Sequence, residues 1–353
     1  MSKVYLVGGA VRDSILGREV HDRDWVIVGS TVEEMDSCGY EKVGEHFPVY
    51  LLHNGEELAM ARTEISTGSG YNDFEVAFGP DVTIIEDLYR RDFTINAIAY
   101  DDETKSYIDP YGGIKDLINK KIRMVNVNAF RDDPLRVFRG IRFACRYEFE
   151  IEDDTMKEIE TMVKSGALSN LPRERMFKEL CKIHDDGTFN QFYNFIRDCD
   201  MLEAFGFTEY YGGNSTYNAT LPYFLCTVCE TRDDFKNLDK VYKIPNEFKM
   251  FADVWFFEGS EFELIKKCRG DQDTPMLKVA LELGMVDAEQ VKAYRSVTSE
   301  TFPEVTGKDL GRLIMFERER RIDQLYKDRV AYQDLKYGWV SWETAVREVK
   351  FNG

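Results

Sequence analysis

No run of about 20 apolar residues, the length a helix needs to cross a bilayer, occurs in this 353-residue sequence, so membrane-spanning helices are not expected. The opening stretch MSKVYLVGGAVRD is too short and too polar for a signal peptide, so export is not expected either. Histidine is scarce, with four residues, and none follows His184. The seven cysteines are odd in number and scattered, and Cys226 and Cys229 form a lone CxxC. A zinc site would need a second pair or histidine partners. The cysteines therefore read as reduced, mostly buried thiols of a cytoplasmic protein. There is no GxxxxGK[ST] loop, no repeat and no low-complexity tract. Positive charge is in deficit: 46 Lys and Arg against 64 Asp and Glu leave a net charge of -18. Such a chain repels polyanions at long range, which excludes a non-specific nucleic-acid coat but not a local basic groove. What is present is 43% apolar and 13% aromatic residues, enough for real cores and too much for disorder.

The first part alternates short strand-like and helical segments. Val4 to Val7 predicts a strand, Ala10 to Leu16 a helix ending at Gly17, Asp24 to Val28 a strand, and Thr31 to Cys38 a helix. Val49 to Leu52 and Glu57 to Ala61 predict a hairpin turning at Asn54-Gly55. Thr67 to Asp73 reads as a mobile loop, and Thr94 to Tyr100 as a further strand. From Pro134 onward the period is helical, with Leu135, Val137, Phe138, Ile141, Ala144 and Cys145 on one face. Helices are also expected over Met156 to Val163, Glu174 to Ile183, Phe189 to Ile196 and the charged stretch Leu310 to Arg329. The pattern predicts a mixed α/β head followed by a mostly α-helical remainder.

Four segments carry chemistry. Gly8-Gly9 after a strand and before a helix lets backbone N–H groups approach a phosphate, with Arg12 one turn in. Alone this is an ordinary tight turn. Asp22 and Asp24 bracket Arg23 at a strand start, and strand alternation places i and i+2 on one face. Two adjacent carboxylates repel unless a hard cation such as Mg2+ sits between them. Arg90-Arg91-Asp92 with Asn96 offers groups for ribose and phosphate, or a surface charge cluster. Asp133-Pro134 is a good helix start, with Arg136, Arg139 and Arg142 following at spacing three. Residues i and i+3 are helix neighbours, so Asp133 and Arg136 present an acceptor beside a donor. Cytosine and adenine each offer an amino donor beside a ring-nitrogen acceptor, whereas uracil and guanine offer the reverse. Such a pair would accept C and A and repel U and G.

Together these segments resemble the class II tRNA nucleotidyltransferases, the CCA-adding enzymes of the DNA polymerase beta superfamily, in their gammaproteobacterial form. YLVGGAVRDSILG, HDRDWVIVGST, VGEHFPVYLL, RRDFTINAIA, IDPYGG and DDPLRVFRGIRFACRY carry the resemblance, which thins after about Phe205. It implies an α/β nucleotidyltransferase head of the DNA polymerase beta type over residues 1–145, a helical neck over 146–205, and a helical, tRNA-binding body and tail over 206–353. It further implies that Asp22 and Asp24 are catalytic and hold Mg2+. Gly9, Arg12 and Arg91 would bind the sugar and triphosphate, Asp133 and Arg136 would read the base, and Arg139 and Arg142 would complete the pocket.

The implied reaction adds C, C and A to the tRNA 3′ end from CTP and ATP, releasing pyrophosphate, with the tRNA acceptor arm held by shape. Arg62 to Phe74 lies where the family keeps the loop that helps switch from C to A, which favours full CCA addition. Position 132 is Asp where the family usually has Glu. With His21, His46, His53 and His184 alone, an HD-type phosphohydrolase domain is not expected. Glu64 and Asp92 are candidates for a third metal carboxylate. The rival readings are a bacterial-type poly(A) polymerase, a partial CC-adding or A-adding enzyme, and a non-catalytic RNA-binding relative. Oligomeric state is not readable from these residues.

Overall fold

The computed structural model describes residues 2–43, 47–66, 74–209 and 221–337. They divide into two compact units: the described residues through 209 with 237–243, and 221–236 with 244–337. The expected boundary at 145/146 falls inside the first.

Alternation builds the head. In β1 (Lys3–Val7), Tyr5 and Val7 are buried, and in β2 (Asp24–Val28), Val26 and Ile27 are buried on opposite faces. Between them lies α1 (Gly9–Ile15), and after β2 comes α2 (Val32–Ser37), started by a capping box of Thr31 and Glu34. Strands β3 (Glu41–Lys42), β4 (Val49–Leu51) and β5 (Glu57–Met60) follow, with β4 and β5 paired antiparallel as the hairpin pattern predicts. A separate antiparallel pair joins β6 (Arg62–Ser66) to β7 (Phe74–Phe78). The segment read as a mobile loop, 67–73, lies outside the described residues. Then come α3 (Ile84–Tyr89), β8 (Ala99–Asp101), β9 (Ser106–Ile108), α4 (Gly113–Ile118) and β10 (Lys121–Ile122).

The seven-stranded sheet has the order β3-β4-β5-β2-β1-β8-β9. All neighbours run antiparallel except β2 and β5. Tyr5, Val7 and Val26 pack with Ile84 and Leu88 of α3 on one face. Ile27, Tyr50, Leu58 and Met60 pack with Met35 of α2 on the other. By alternation, Asp24 shares the α3 face with Val26.

The strand expected over Thr94 to Tyr100 is corrected. Thr94–Asn96 is a 3-10 turn and only Ala99–Asp101 is strand. Phe93, Ile95, Ala97 and Ile98 are all fully buried, so no alternation was available to separate turn from strand. The turn is fixed from outside: Thr94 Oγ1 donates to Asp116 of α4 at 2.7 Å, and α4 begins hard against it at Gly113.

Helix α5 (Val127–Asp132) leads through Asp133-Pro134 into α6 (Leu135–Tyr147). Of the apolar face predicted for α6, Cys145 is half-buried and the rest buried. Gly140 lets α6 close on Phe93, whose ring would stand 3.0 Å from a Cβ there. Strand β11 (Glu150–Ile151) pairs with β10. Helices α7 (Asp153–Lys164), α8 (Arg173–Asp185) and α9 (Phe189–Asp198) follow. Phe138 of α6 meets Phe192 of α9, Phe205 and Tyr242, so aromatic packing joins α6 to these later segments.

The second unit contains α10 (Leu221–Thr227), and α11 (Arg232–Tyr242) is divided between the two units at residue 237. It continues with α12 (Asn246–Trp255), α13 (Glu261–Lys267), α14 (Pro275–Glu282), α15 (Ala288–Arg295) and α16 (Gly307–Tyr337). Its core joins Val254, Leu264, Ile265, Leu277, Val291 and Ile322. Cys226 and Cys229 are free, buried thiols, and burial pushes that of Cys229 up to about 12. No cluster of three metal-ligating side chains occurs among the described residues. Nor is any described helix long and apolar enough to cross a membrane.

A Cβ at Gly113 would stand 2.1 Å from the Thr94 carbonyl oxygen. Gly113→Ala is expected to destabilise the head by about 1–3 kcal/mol, read as a lowered urea midpoint.

Candidate active site

A cleft of about 780 Å³ opens in the first unit, a size typical of ligand pockets. It gathers Gly9, Arg12, Asp24, Arg91, Asp133, Arg136, Arg139 and Arg142, which sequence reasoning singled out. Asp22 lies just before β2 and does not line the cleft, but its charge acts on Asp24. Ten of the lining residues are basic and four acidic, so this acidic chain carries a local excess of positive charge.

Asp24 opens β2 beside Val7 of β1 and Glu57 of β5. It keeps an exposed edge. Even so, burial, with a smaller push from Asp22 and against the pull of Arg91, lifts its carboxyl above the ordinary range. Neither Asp22 nor Asp24 makes a side-chain hydrogen bond or ion pair among the described residues. Two neighbouring carboxylates with no ion-paired side chain, one of them lining a cationic cleft, suit a hard divalent ion completed by water and phosphate. The residues therefore fit Mg2+.

Glu64 and Asp92, the candidates for a third ligand, are engaged elsewhere. Glu64 accepts from Arg62 at 2.8 Å and from Arg90 at 3.0 Å. Asp92 accepts from Asn96 at 2.9 Å and from Arg139 at 2.8 Å. Burial alone would raise the Asp92 carboxyl, but Arg139 and Arg136 outweigh it and hold it far below the usual range.

One side of the cleft is built on Gly8 and Gly9. Gly8 has φ of 69°, and a Cβ there would come within 2.9 Å of Arg91 Nη1, so only glycine lets Arg91 lie against this turn. Arg12 donates to Asn96 Oδ1 at 2.6 Å and grips Asp13 through two nitrogens. Arg91 donates to Asp87 at 3.0 Å. Its Nε–H is buried and has no acceptor among the described residues.

Asp133 and Arg136 face the cleft, each held by something other than its partner. Arg175 of α8 donates two bonds of 3.0 Å to the two oxygens of Asp133. Arg136 donates to the carbonyls of Arg90 at 2.6 Å and Arg91 at 3.3 Å. Asp133 Oδ1 also accepts from Leu135 N–H at 3.2 Å, so the helix-start role coexists with the pocket role. Arg142 is buried and bonded to Glu179 and Asp186.

Sequence reasoning missed Arg146, Arg175, Lys178 and Lys182, which also line the cleft. Arg146 continues the stripe of α6 one turn further. Arg175, Lys178 and Lys182 follow helical spacing on α8, so charge periodicity was the signal available. Lys178 makes no ion pair among the described residues.

Residues 4–123 match the family described as "Poly A polymerase head domain". Residues 148–206 match that described as "Probable RNA and SrmB- binding site of polymerase A". Among solved structures, the chain is similar to a CCA-adding enzyme in apo form, at 22% identity and TM-score 0.62, covering 93% of this chain and 92% of that one. It is similar to a tRNA-processing enzyme with CTP at 23% and 0.58, covering 91% and 97%. It is also similar to the Thermotoga maritima CCA-adding enzyme complexed with tRNA, at 24% and 0.55, covering 93% and 77%.

Because folding raises the Asp24 carboxyl, its contribution to stability is present below the ordinary value of 3.8 and is lost as pH rises through the folded value. Asp24→Asn should therefore melt at a higher temperature than the metal-free native protein at pH 7, with the gap closing below pH 3.8. Added MgCl2 should raise the melting temperature of the native protein and not of the variant. A native protein indifferent to MgCl2 would count against the metal site.

Proposed function

We propose that the chain, whose head matches the poly A polymerase head domain family over residues 4–123, is a class II tRNA nucleotidyltransferase that completes tRNA 3′ ends by adding C, C and A from CTP and ATP. The observation that carries this reading is one cleft in which Asp24 and the Asp133–Arg136 pair share a wall of ten basic residues. The relatives' names supply the substrates: CTP for one and tRNA for another.

In the proposed cycle, Gly9, Arg12 and Arg91 face the triphosphate. The unpartnered Nε–H of Arg91 supplies a buried donor for a phosphate oxygen. Asp133 and Arg136 set an acceptor and a donor against the base edge, accepting cytosine and adenine, while Arg139 and Arg142 complete the pocket wall. Mg2+, when bound at Asp22 and Asp24, supplies charge that polarises the α-phosphate and acidifies the attacking hydroxyl. The RNA 3′-oxygen bonds to the α-phosphorus and the bond to the bridging oxygen breaks. Its electron pair leaves with pyrophosphate, and the hydroxyl proton departs to solvent. Residues 206–353 would hold the acceptor arm, working in the cytoplasm. The head-domain description favours one rival, a poly(A) polymerase.

Incubation with tRNA lacking CCA and with each NTP separates the readings. CTP incorporation followed by a single A is expected, and long tails from ATP alone would support the rival. Asp22→Ala and Asp24→Ala should each lower incorporation by about 10²-fold or more while RNA binding persists. Asp133→Ala should narrow discrimination against UTP and GTP by about tenfold or more, with triphosphate affinity nearly unchanged.

A further inference from the structure

Asp24 borders two cavities. Besides the large cleft, a smaller one of about 220 Å³ is lined by Asp24, and Arg90 and Arg91 line both. The small cavity lies over the sheet, where Val7, Val26, Val49 and Ala59 give it an apolar lining. The registers Val7↔Asp24, Val26↔Ala59 and Val49↔Ala59 set these residues beside one another on the face that carries Asp24. Phe47 and Arg62 also line it. The Arg62 guanidinium carbon stands 3.4 Å from the Phe47 ring centroid, and Glu64 holds the same guanidinium at 2.8 Å. The result is a fixed aromatic and cationic platform beside an apolar floor.

Nucleotidyl transfer needs the attacking oxygen and the departing pyrophosphate roughly in line on opposite sides of the α-phosphorus. Two nucleotides must therefore meet at the carboxylates from different directions. The large cleft has the cations for a triphosphate. The small cavity lies below the usual range for whole-ligand pockets, which suits a single nucleoside. Aromatic rings and arginine planes are the usual supports for an unstacked RNA base. We infer that the small cavity takes the 3′-terminal nucleoside of the RNA acceptor, with its base on the platform of Phe47 and Arg62. This rests on the nucleotidyl-transfer reading, and it assigns to the primer a pocket distinct from that of the incoming nucleotide.

The test uses the full chain and a tRNA minihelix whose 3′-terminal base is 2-aminopurine, which loses fluorescence on stacking. Binding to the native protein should quench it about threefold, and Phe47→Leu should remove most of the quenching and weaken minihelix binding about 5–10-fold. Phe47→Tyr should keep both. CTP affinity of Phe47→Leu should stay within about twofold of native, which also shows that the cleft is intact. Equal quenching in the native protein and Phe47→Leu would overturn the inference. So would lost CTP affinity with quenching retained, which would assign the small cavity to the incoming nucleotide. The readout is binding, so a native protein that incorporates no nucleotide would defeat the transfer reading while the quenching still judges the cavity.

Discussion

The carboxylate of Asp92, only 7% exposed, lies between Arg139 of α6 and Asn96 of the 3-10 turn, and the geometry of the cleft depends on it. One oxygen accepts from Asn96 Nδ2 and from the Phe93 N–H. The other accepts Arg139 through two nitrogens. Asn96 then turns its own oxygen to Arg12. A single buried charge thus fixes Arg12 and Arg139 in one chain of bonds. Removing one partner of a buried pair typically costs about 3–5 kcal/mol, because the survivor keeps its charge without compensation.

The same device recurs around the cleft. Asp87, fully buried, holds Arg90 and Arg91 together. Glu179 holds Arg142 and Lys182. These acids do not cancel the cleft's charge, since basic residues still outnumber them. They place guanidinium groups that would otherwise repel one another. The net charge of -18 and a strongly basic cleft are therefore compatible. Acid residues over the body oppose non-specific RNA at long range, while a few buried ones organise the cations that, in the proposed reaction, meet a triphosphate. Selectivity then rests on shape, and contact with generic RNA should be weak and sensitive to salt.

How much of this could be read in advance follows from how local each feature is. Strands β1 and β2 declare themselves as short apolar, β-branched runs, and the β4–β5 hairpin through its Asn-Gly turn. The stripe of arginines on α6 is visible as spacing. Thr94–Asn96 was misread because every apolar side chain around it is buried, leaving no period. The hold of Arg175 on Asp133 was invisible because the two lie 42 positions apart and meet only when α8 packs on α6. The small cavity beside Asp24 depends on a parallel pairing of β2 and β5 that strand patterns alone do not specify.

That long-range hold bears directly on the proposed reading of the base. A donor and an acceptor three residues apart on a helix were enough to suggest a template. The structure adds that neither is free to choose its own direction. Arg136 is aimed by the carbonyls of Arg90 and Arg91, and those residues are themselves fixed by Asp87. Asp133 is aimed by Arg175 of α8. A guanidinium bonded to two carbonyls and a carboxylate bonded to a guanidinium retain donor and acceptor capacity for a base edge, but only in the direction their partners leave open. On the proposed reading, discrimination between bases therefore rests on the packing of α3, α6 and α8 as much as on Asp133 and Arg136 themselves.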